Sequence, residues 1–144
     1  MGIWDVRFVM KKFGVIVVVF FSSITTYAQT EPIKLSIYFG PGSYYVDYEQ
    51  IEMMNQAIDS IADVNKYQIT IYSHTDNIGG RRYNEWLSMM RSNSVIQELV
   101  MKEISEELII VKDFGQDDPL YNNDSYSGRG GNRRVDLIFW PVVL

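Results

Sequence analysis

The chain has 144 residues, 47% of them hydrophobic, a formal net charge of −5, one histidine and no cysteine. The length suits one compact domain rather than two, and the acidic balance argues against a nucleic-acid partner. Without cysteine there is no disulfide, thiolate metal site, thiol nucleophile or lipid-modified N-terminal cysteine, and a single histidine excludes a multi-histidine zinc site.

Residues 1–28 differ from the rest. Lys11 and Lys12 precede an apolar run from Phe13 to Phe21, and SSITTYA follows, ending at Ala28. A basic region, a short apolar stretch and small residues near the end describe a secretory signal peptide, with cleavage after Ala28. The competing reading is an uncleaved anchor, but the run is shorter than the roughly 20 residues that span a bilayer. Met10, followed by KKF, is an alternative start to Met1. Loss of Asp5, Arg7, Lys11 and Lys12 with this segment would take the net charge from −5 to −7. Residues 29–144 then form a single exported domain.

Residues 33–39 alternate Ile33, Leu35, Ile37 and Phe39 with polar neighbours, the pattern of a half-buried strand. Gly40-Pro41-Gly42 stops it. From Val46 to Ala62, Ile51, Met54, Ala57, Ile58 and Ile61 recur at helical spacing, and Asp63-Val64-Asn65 ends the helix. Tyr67–Tyr72 is a second strand, β-branched and central in character. A loop through Gly79-Gly80 leads into a helix from Arg82 to Met101, with Leu87, Met90, Val95, Ile96 and Leu99 on its core side. Residues 103–107 form a turn, and Leu108–Val111 a third strand. Residues 113–131, rich in Gly, Asp, Asn and Ser, read as a long loop. Arg134–Trp140 is the fourth strand. The order β-α-β-α-β-β predicts an α+β sandwich, one sheet covered on one face by two helices and partly open on the other.

The chemistry concentrates between His74 and Val95. Arg91 has Leu87 four residues before it and Val95 four after, so it lies close to the apolar seam of its helix. Burying part of a guanidinium without a partner is costly. Arg91 therefore requires an acid, a ring of carbonyls or a ligand anion. Asp76, beyond the second strand, is the obvious acid. A planar guanidinium fits a carboxylate bidentately, and an aspartate beside it suits an ammonium. The two together can anchor a zwitterion, or they can pair with each other as a structural salt bridge.

This stretch resembles the signature of the OmpA C-terminal-like, peptidoglycan-associated domain family: T-D-x-x-G, then N-x-x-L-S-x-x-R. Here it reads Thr75, Asp76, Gly79, Tyr83, Asn84, Leu87, Ser88, Arg91, Ser92 and Val95. Gly115 and Pro119 resemble the family's G-x-x-x-P turn. Asn132, Arg133, Arg134, Val135 and Asp136 match its closing strand, and Phe39 to Ser43 its first turn. The resemblance spans about residues 33–140. It implies a βαβαββ sandwich, one mixed sheet with helices packed on one face. It implies non-covalent binding of peptidoglycan at the meso-diaminopimelate of the stem peptide, in the periplasm, at the outer membrane or cell wall. Asp76 and Arg91 would hold the free amino acid end of that residue, and Thr75, Asn84 and Leu87 would shape the pocket. An outer-membrane protein is a further partner compatible with it. Many members carry an acid after the first-strand aromatic where this chain has Gly40, a departure that bears on affinity. Backbone N–H groups are one replacement for that contact.

His74 reads as locally hydrogen-bonded rather than touching the ligand, Arg133 and Arg134 as braces of the sheet and the 113–131 loop with a share in anion binding as the alternative, and Trp86 and Trp140 as core or rim packing rather than sugar stackers. Arg81, Arg82 and Arg129 suit either a solvated loop or anionic glycan. No cofactor is expected. An enzyme would need a carboxylate pair, a nucleophile–base pair or a metal set, and the acids here are scattered. The expectation is a binding module and not an enzyme, with a protein-interaction domain that has lost the ligand as the alternative.

Overall fold

The computed structural model describes residues 31–142, so the segment expected to be a signal peptide lies outside the described residues. Four strands and three helices follow in the order β1 (Ile33–Tyr38), α1 (Tyr48–Asp59), β2 (Tyr67–His74), α2 (Arg81–Met101), β3 (Ile109–Gly115), α3 (Tyr126–Asn132), β4 (Arg134–Pro141). Short 3-10 turns at Val64–Lys66 and Glu106–Leu108 precede β2 and β3.

The sheet runs β1-β4-β2-β3. β4 is antiparallel to both β1 and β2, while β2 and β3 are parallel. The last strand is thus inserted between the first two. This mixed sheet with two long helices on one face is the α+β sandwich expected. Its helix-facing side carries Ile37, Ile69, Ile71, Val135, Leu137 and Phe139, all 0–1% exposed. Met54 and Ile58 of α1 and Val95 and Leu99 of α2 close over them. Each such side chain contributes about 1.5–3 kcal/mol on leaving water.

α1 starts where Asp47 accepts a hydrogen bond from Gln50 N–H (2.9 Å), an N-cap that satisfies one of the free donors of the first turn. α2 buries a broader stripe than its apolar residues suggest. Asn84, Leu87, Ser88, Arg91, Ser92, Val95 and Leu99 are buried, whereas Met90 and Ile96 are only half-buried. Two serines allow close approach to the sheet. Ser73 Oγ donates to Ser88 O (2.7 Å), Gly115 N–H donates to Ser88 Oγ (3.1 Å), and Ser92 Oγ donates to Asp113 Oδ1 (2.5 Å).

The long loop expected over 113–131 is shorter. The parallel ladder with β2 carries β3 on to Gly115, past a register shift at Ser73/His74. Residues 126–132 form α3, capped by Ser125 Oγ accepting from Gly128 N–H (2.9 Å). Asn132 pins what remains. Its Oδ1 accepts from Leu120 and Tyr121 N–H (2.9 Å each), and its Nδ2 donates to Tyr121 O (2.7 Å).

The topology gathers the chemistry. The C-terminal ends of β1, β2 and β3 and the N-terminal end of β4 meet at one end of the sheet, as the pairs Tyr38–Arg134, Ser73–Val135 and His74–Gly115 show. The loops after β1, β2 and β3 all emerge there.

Candidate functional site

Arg91 is completely buried. Its guanidinium is held by a ring of backbone carbonyls: Nε donates to Ser43 O (2.8 Å), Nη1 to His74 O (2.9 Å) and Nη2 to Gly40 O (3.3 Å). The Phe39 ring lies 5.0 Å from its central carbon, a cation–π contact. Burial draws its pKa down from the ordinary value to about 10, Asp76 opposes this, and Arg133 adds to it. The group stays charged at neutral pH. One side chain thus ties the β1–α1 loop to the end of β2.

Asp76 is not the hydrogen-bonding partner of Arg91. Its Oδ2 accepts from Arg133 Nη1 at 3.1 Å, and its Oδ1 accepts from Ile78 N–H at 3.1 Å. Arg133 also donates from Nε to Phe39 O (3.1 Å), and its guanidinium lies 5.9 Å from the Tyr126 ring. The sequence pairing of Asp76 with Arg91 is therefore corrected. β4 is threaded between β1 and β2, which brings Arg133 to Asp76, while three carbonyls already satisfy Arg91. Both members of the Asp76–Arg133 pair are nearly buried, with side chains 10% and 8% exposed.

The remaining candidates, Thr75, Asn84 and Leu87, are also buried. Thr75 Oγ1 donates to Asp76 O (2.9 Å), and Thr75 N–H donates to Gly115 O (2.8 Å). Thr75 therefore holds the turn that carries the carboxylate. Asn84 Nδ2 donates to Gln116 Oε1 (2.7 Å), which ties α2 to the loop after β3 rather than to the Asp76 turn. Its Oδ1 is buried without a partner. Leu87 is buried at 3% exposure. Gly115 has φ +57, and a Cβ there would meet Glu85 N at 3.2 Å, so a side chain would be strained and would crowd the start of α2. Gly40 contributes its carbonyl to the ring around Arg91.

His74 matters through its main chain. Its ring is 3% exposed, stacks on Phe114 (5.2 Å between centroids, 14° between planes) and leaves Nδ1 unpartnered. Nε2 lies 3.9 Å from Asp136 Oδ2. Arg134 Nε donates to Asp136 Oδ2 (2.9 Å), bracing the sheet as expected. Burial pushes the His74 pKa below the ordinary imidazole value, helped by Arg134 and opposed by Asp136 and Asp118. Arg81 pairs with Asp117 at the loop surface. Trp86 and Trp140 are rim rather than core residues, 43% and 42% exposed.

Sequence reasoning missed one feature and left another open. The ligand-like role of Arg133 toward Asp76 spans 57 positions and has no local signal. The carbonyl ring was one of three options open for Arg91, and nothing in side-chain identity selects it.

A family model described as "OmpA family" matches residues 38–133. Outer membrane porin F of Pseudomonas fluorescens is 28% identical over 109 residues, 76% of this chain and 33% of that protein. The peptidoglycan-binding protein ArfA of Mycobacterium tuberculosis is 30% identical over 87 residues, 60% of this chain and 27% of that protein. The chain thus spans a third or less of these relatives' length. The crystal structure of the peptidoglycan-associated lipoprotein from Burkholderia pseudomallei superposes with a TM-score of 0.67 at 24% identity. The match covers 72% of this chain and 88% of that one, and it shows the same fold.

Proposed function

The chain belongs to the OmpA family, and from that premise we propose that it binds cell-wall peptidoglycan without covalent chemistry, through the free amino acid end of meso-diaminopimelate in the stem peptide. The domain is a binding module, not an enzyme. What supports the ligand most is the nearly buried pair Asp76 and Arg133, opposite charges 3.1 Å apart with the charge of Arg91 close enough to act on both. A zwitterion offers each charge a replacement partner. Asp76 takes the ammonium. The carboxylate goes to Arg91, displacing the longest of its three carbonyl bonds, that to Gly40, and Arg133 shares the charge. Five N–H donors on a guanidinium leave Arg91 two beyond those it uses. Thr75, Asn84 and Leu87 hold the walls.

The similarity to ArfA, a peptidoglycan-binding protein, favours the same ligand class. The reading carries with it an exported protein, cleaved after residue 28, with residues 29–144 as the binding domain in the periplasm, beside the outer membrane or cell wall. Its role there is tethering or scaffolding.

A second reading has one observation in its favour. Arg91 is fully buried with each of its three nitrogens engaged, as suits a domain that keeps the arginine for structure and binds a protein, such as an outer-membrane partner, instead. Sedimentation with purified diaminopimelate-type sacculi separates the two. The wild type should co-sediment, and Asp76→Ala with Arg91→Ala should not. Failure of the wild type to sediment, or equal sedimentation of the folded double variant, would end the peptidoglycan reading.

A further inference from the structure

Three aromatic rings form a locked, half-exposed cluster beside the candidate site. Tyr44 meets Trp86 edge-on, with 5.9 Å between centroids and 84° between planes. Tyr83 lies 5.8 Å from Trp86 at 35°. All three remain 41–43% exposed, so together they present contiguous aromatic surface to solvent. Their positions are set by both loops of the site. Tyr44 follows Ser43, whose carbonyl holds Arg91. The Tyr83 ring lies against Gly79 and its hydroxyl against Gly42, so close that a Cβ on Gly79 would come within 2.8 Å of the ring. Arg82, exposed and four residues before Trp86, adds donors on the same side of α2.

We infer that Tyr44, Tyr83 and Trp86 form a platform for a pyranose ring of the glycan strand, contacted while the stem peptide occupies the Asp76–Arg91 site. This inference rests on the peptidoglycan reading and extends it from the peptide to the sugar. A pyranose presents one face of C–H groups flanked by hydroxyls, which suits aromatic faces bordered by phenol and guanidinium donors. The reach agrees. Gly79 is three residues from Asp76, so their Cα atoms are at most about 11 Å apart. A stem peptide of about three extended residues covers roughly 10 Å between its anchored end and the sugar. Gly79, against which the Tyr83 ring lies, is thus within a stem peptide's reach of Asp76.

Calorimetric titration of the purified protein with two probes tests this. One probe is a stem tripeptide ending in diaminopimelate, and the other is the disaccharide muropeptide with the same stem. The muropeptide should bind about three- to tenfold more tightly, the worth of one aromatic stacking contact. Trp86→Ala and, separately, Tyr44→Ala should erase that increment, leave the tripeptide affinity unchanged and keep the wild-type circular dichroism. Tyr44→Ala carries the test if Trp86→Ala does not fold. Equal wild-type affinity for the two probes overturns the platform and leaves the peptide site standing. Loss of both affinities in the folded variants makes the rings mere loop packing and also overturns it. Failure of both probes to bind the wild type removes the peptidoglycan reading and the platform together. Self-association in sedimentation velocity that Trp86→Ala abolishes would assign the rings to a second copy instead.

Discussion

Asp76→Ala removes the carboxylate and leaves Arg133 charged in a site where its side chain is 8% exposed. Breaking a buried pair from one side costs about 3–5 kcal/mol, chiefly because the remaining charge has neither water nor partner. The lower end, about 3 kcal/mol, applies here. Arg133 Nε still donates to Phe39 O, and its guanidinium keeps the Tyr126 ring nearby. Loss of the Ile78 N–H bond adds little, because Ile78 is 62% exposed and water can replace the carboxylate. For a domain of this size, 3 kcal/mol lowers Tm by roughly 10–20 °C. Urea unfolding of Asp76→Ala, Arg133→Ala and the double variant closes a thermodynamic cycle. The coupling should be about 1.5–3 kcal/mol, the range of hydrogen bonds to charged groups. Additive single effects, or an Asp76→Ala cost below about 1 kcal/mol, would refute the assignment of Arg133 as the partner of Asp76.

Three further outcomes follow from the geometry around this pair. Gly79 has φ +102, and a Cβ there would lie 2.8 Å from the Tyr83 ring, whereas nothing lies within 4 Å of one at Gly80. Gly79→Ala should therefore cost at least about 1–2 kcal/mol in chemical denaturation, and Gly80→Ala should be close to neutral; comparable losses would contradict the turn described. A Cβ at Gly40 meets only Ser43 Cβ, at 3.7 Å. Gly40→Asp should fold normally and, on the peptidoglycan reading, retain more protein on diaminopimelate-type sacculi; unchanged or lower retention counts against a missing acid at this position. Because the pKa of His74 is lowered on folding, the unfolded chain takes up a proton before the folded one. Its contribution to stability is complete above the unfolded value of about 6.5 and is lost as pH falls from there through the folded value. Denaturation between pH 8 and 5 should show stability falling on the acid side, with a shallower fall in His74→Gln; identical slopes would discount the buried ring.

Strand and helix identity was legible from pattern. The alternation of Ile33, Leu35 and Ile37 and the β-branched run of Tyr67–Tyr72 marked half-buried and central strands. Helical spacing located both long helices to within two or three residues of their ends. These features are local, because side-chain periodicity follows from backbone geometry. The motif residues Thr75, Asp76, Asn84, Leu87 and Arg91 pointed to the family and to one end of the sheet, and the burial of Arg91 was implied by its place in an apolar seam. Its partners could not be read in the same way. Carbonyl oxygens occur at every residue, so a sequence cannot say which ones converge on a guanidinium. That choice depends on where the loops after β1 and β2 come to rest. The apolar part of α2's buried stripe, Leu87, Val95 and Leu99, was legible, but its polar part was not: Ser88 and Ser92 are small enough for the helix to sit close on β2 and β3, and that closeness is a property of the packed pair. The Asp76–Arg133 pair is the clearest case. It exists because β4, last in the chain, pairs between β1 and β2, and strand order is set by which hydrogen-bonding edges are covered in the folded sheet rather than by any neighbouring residues.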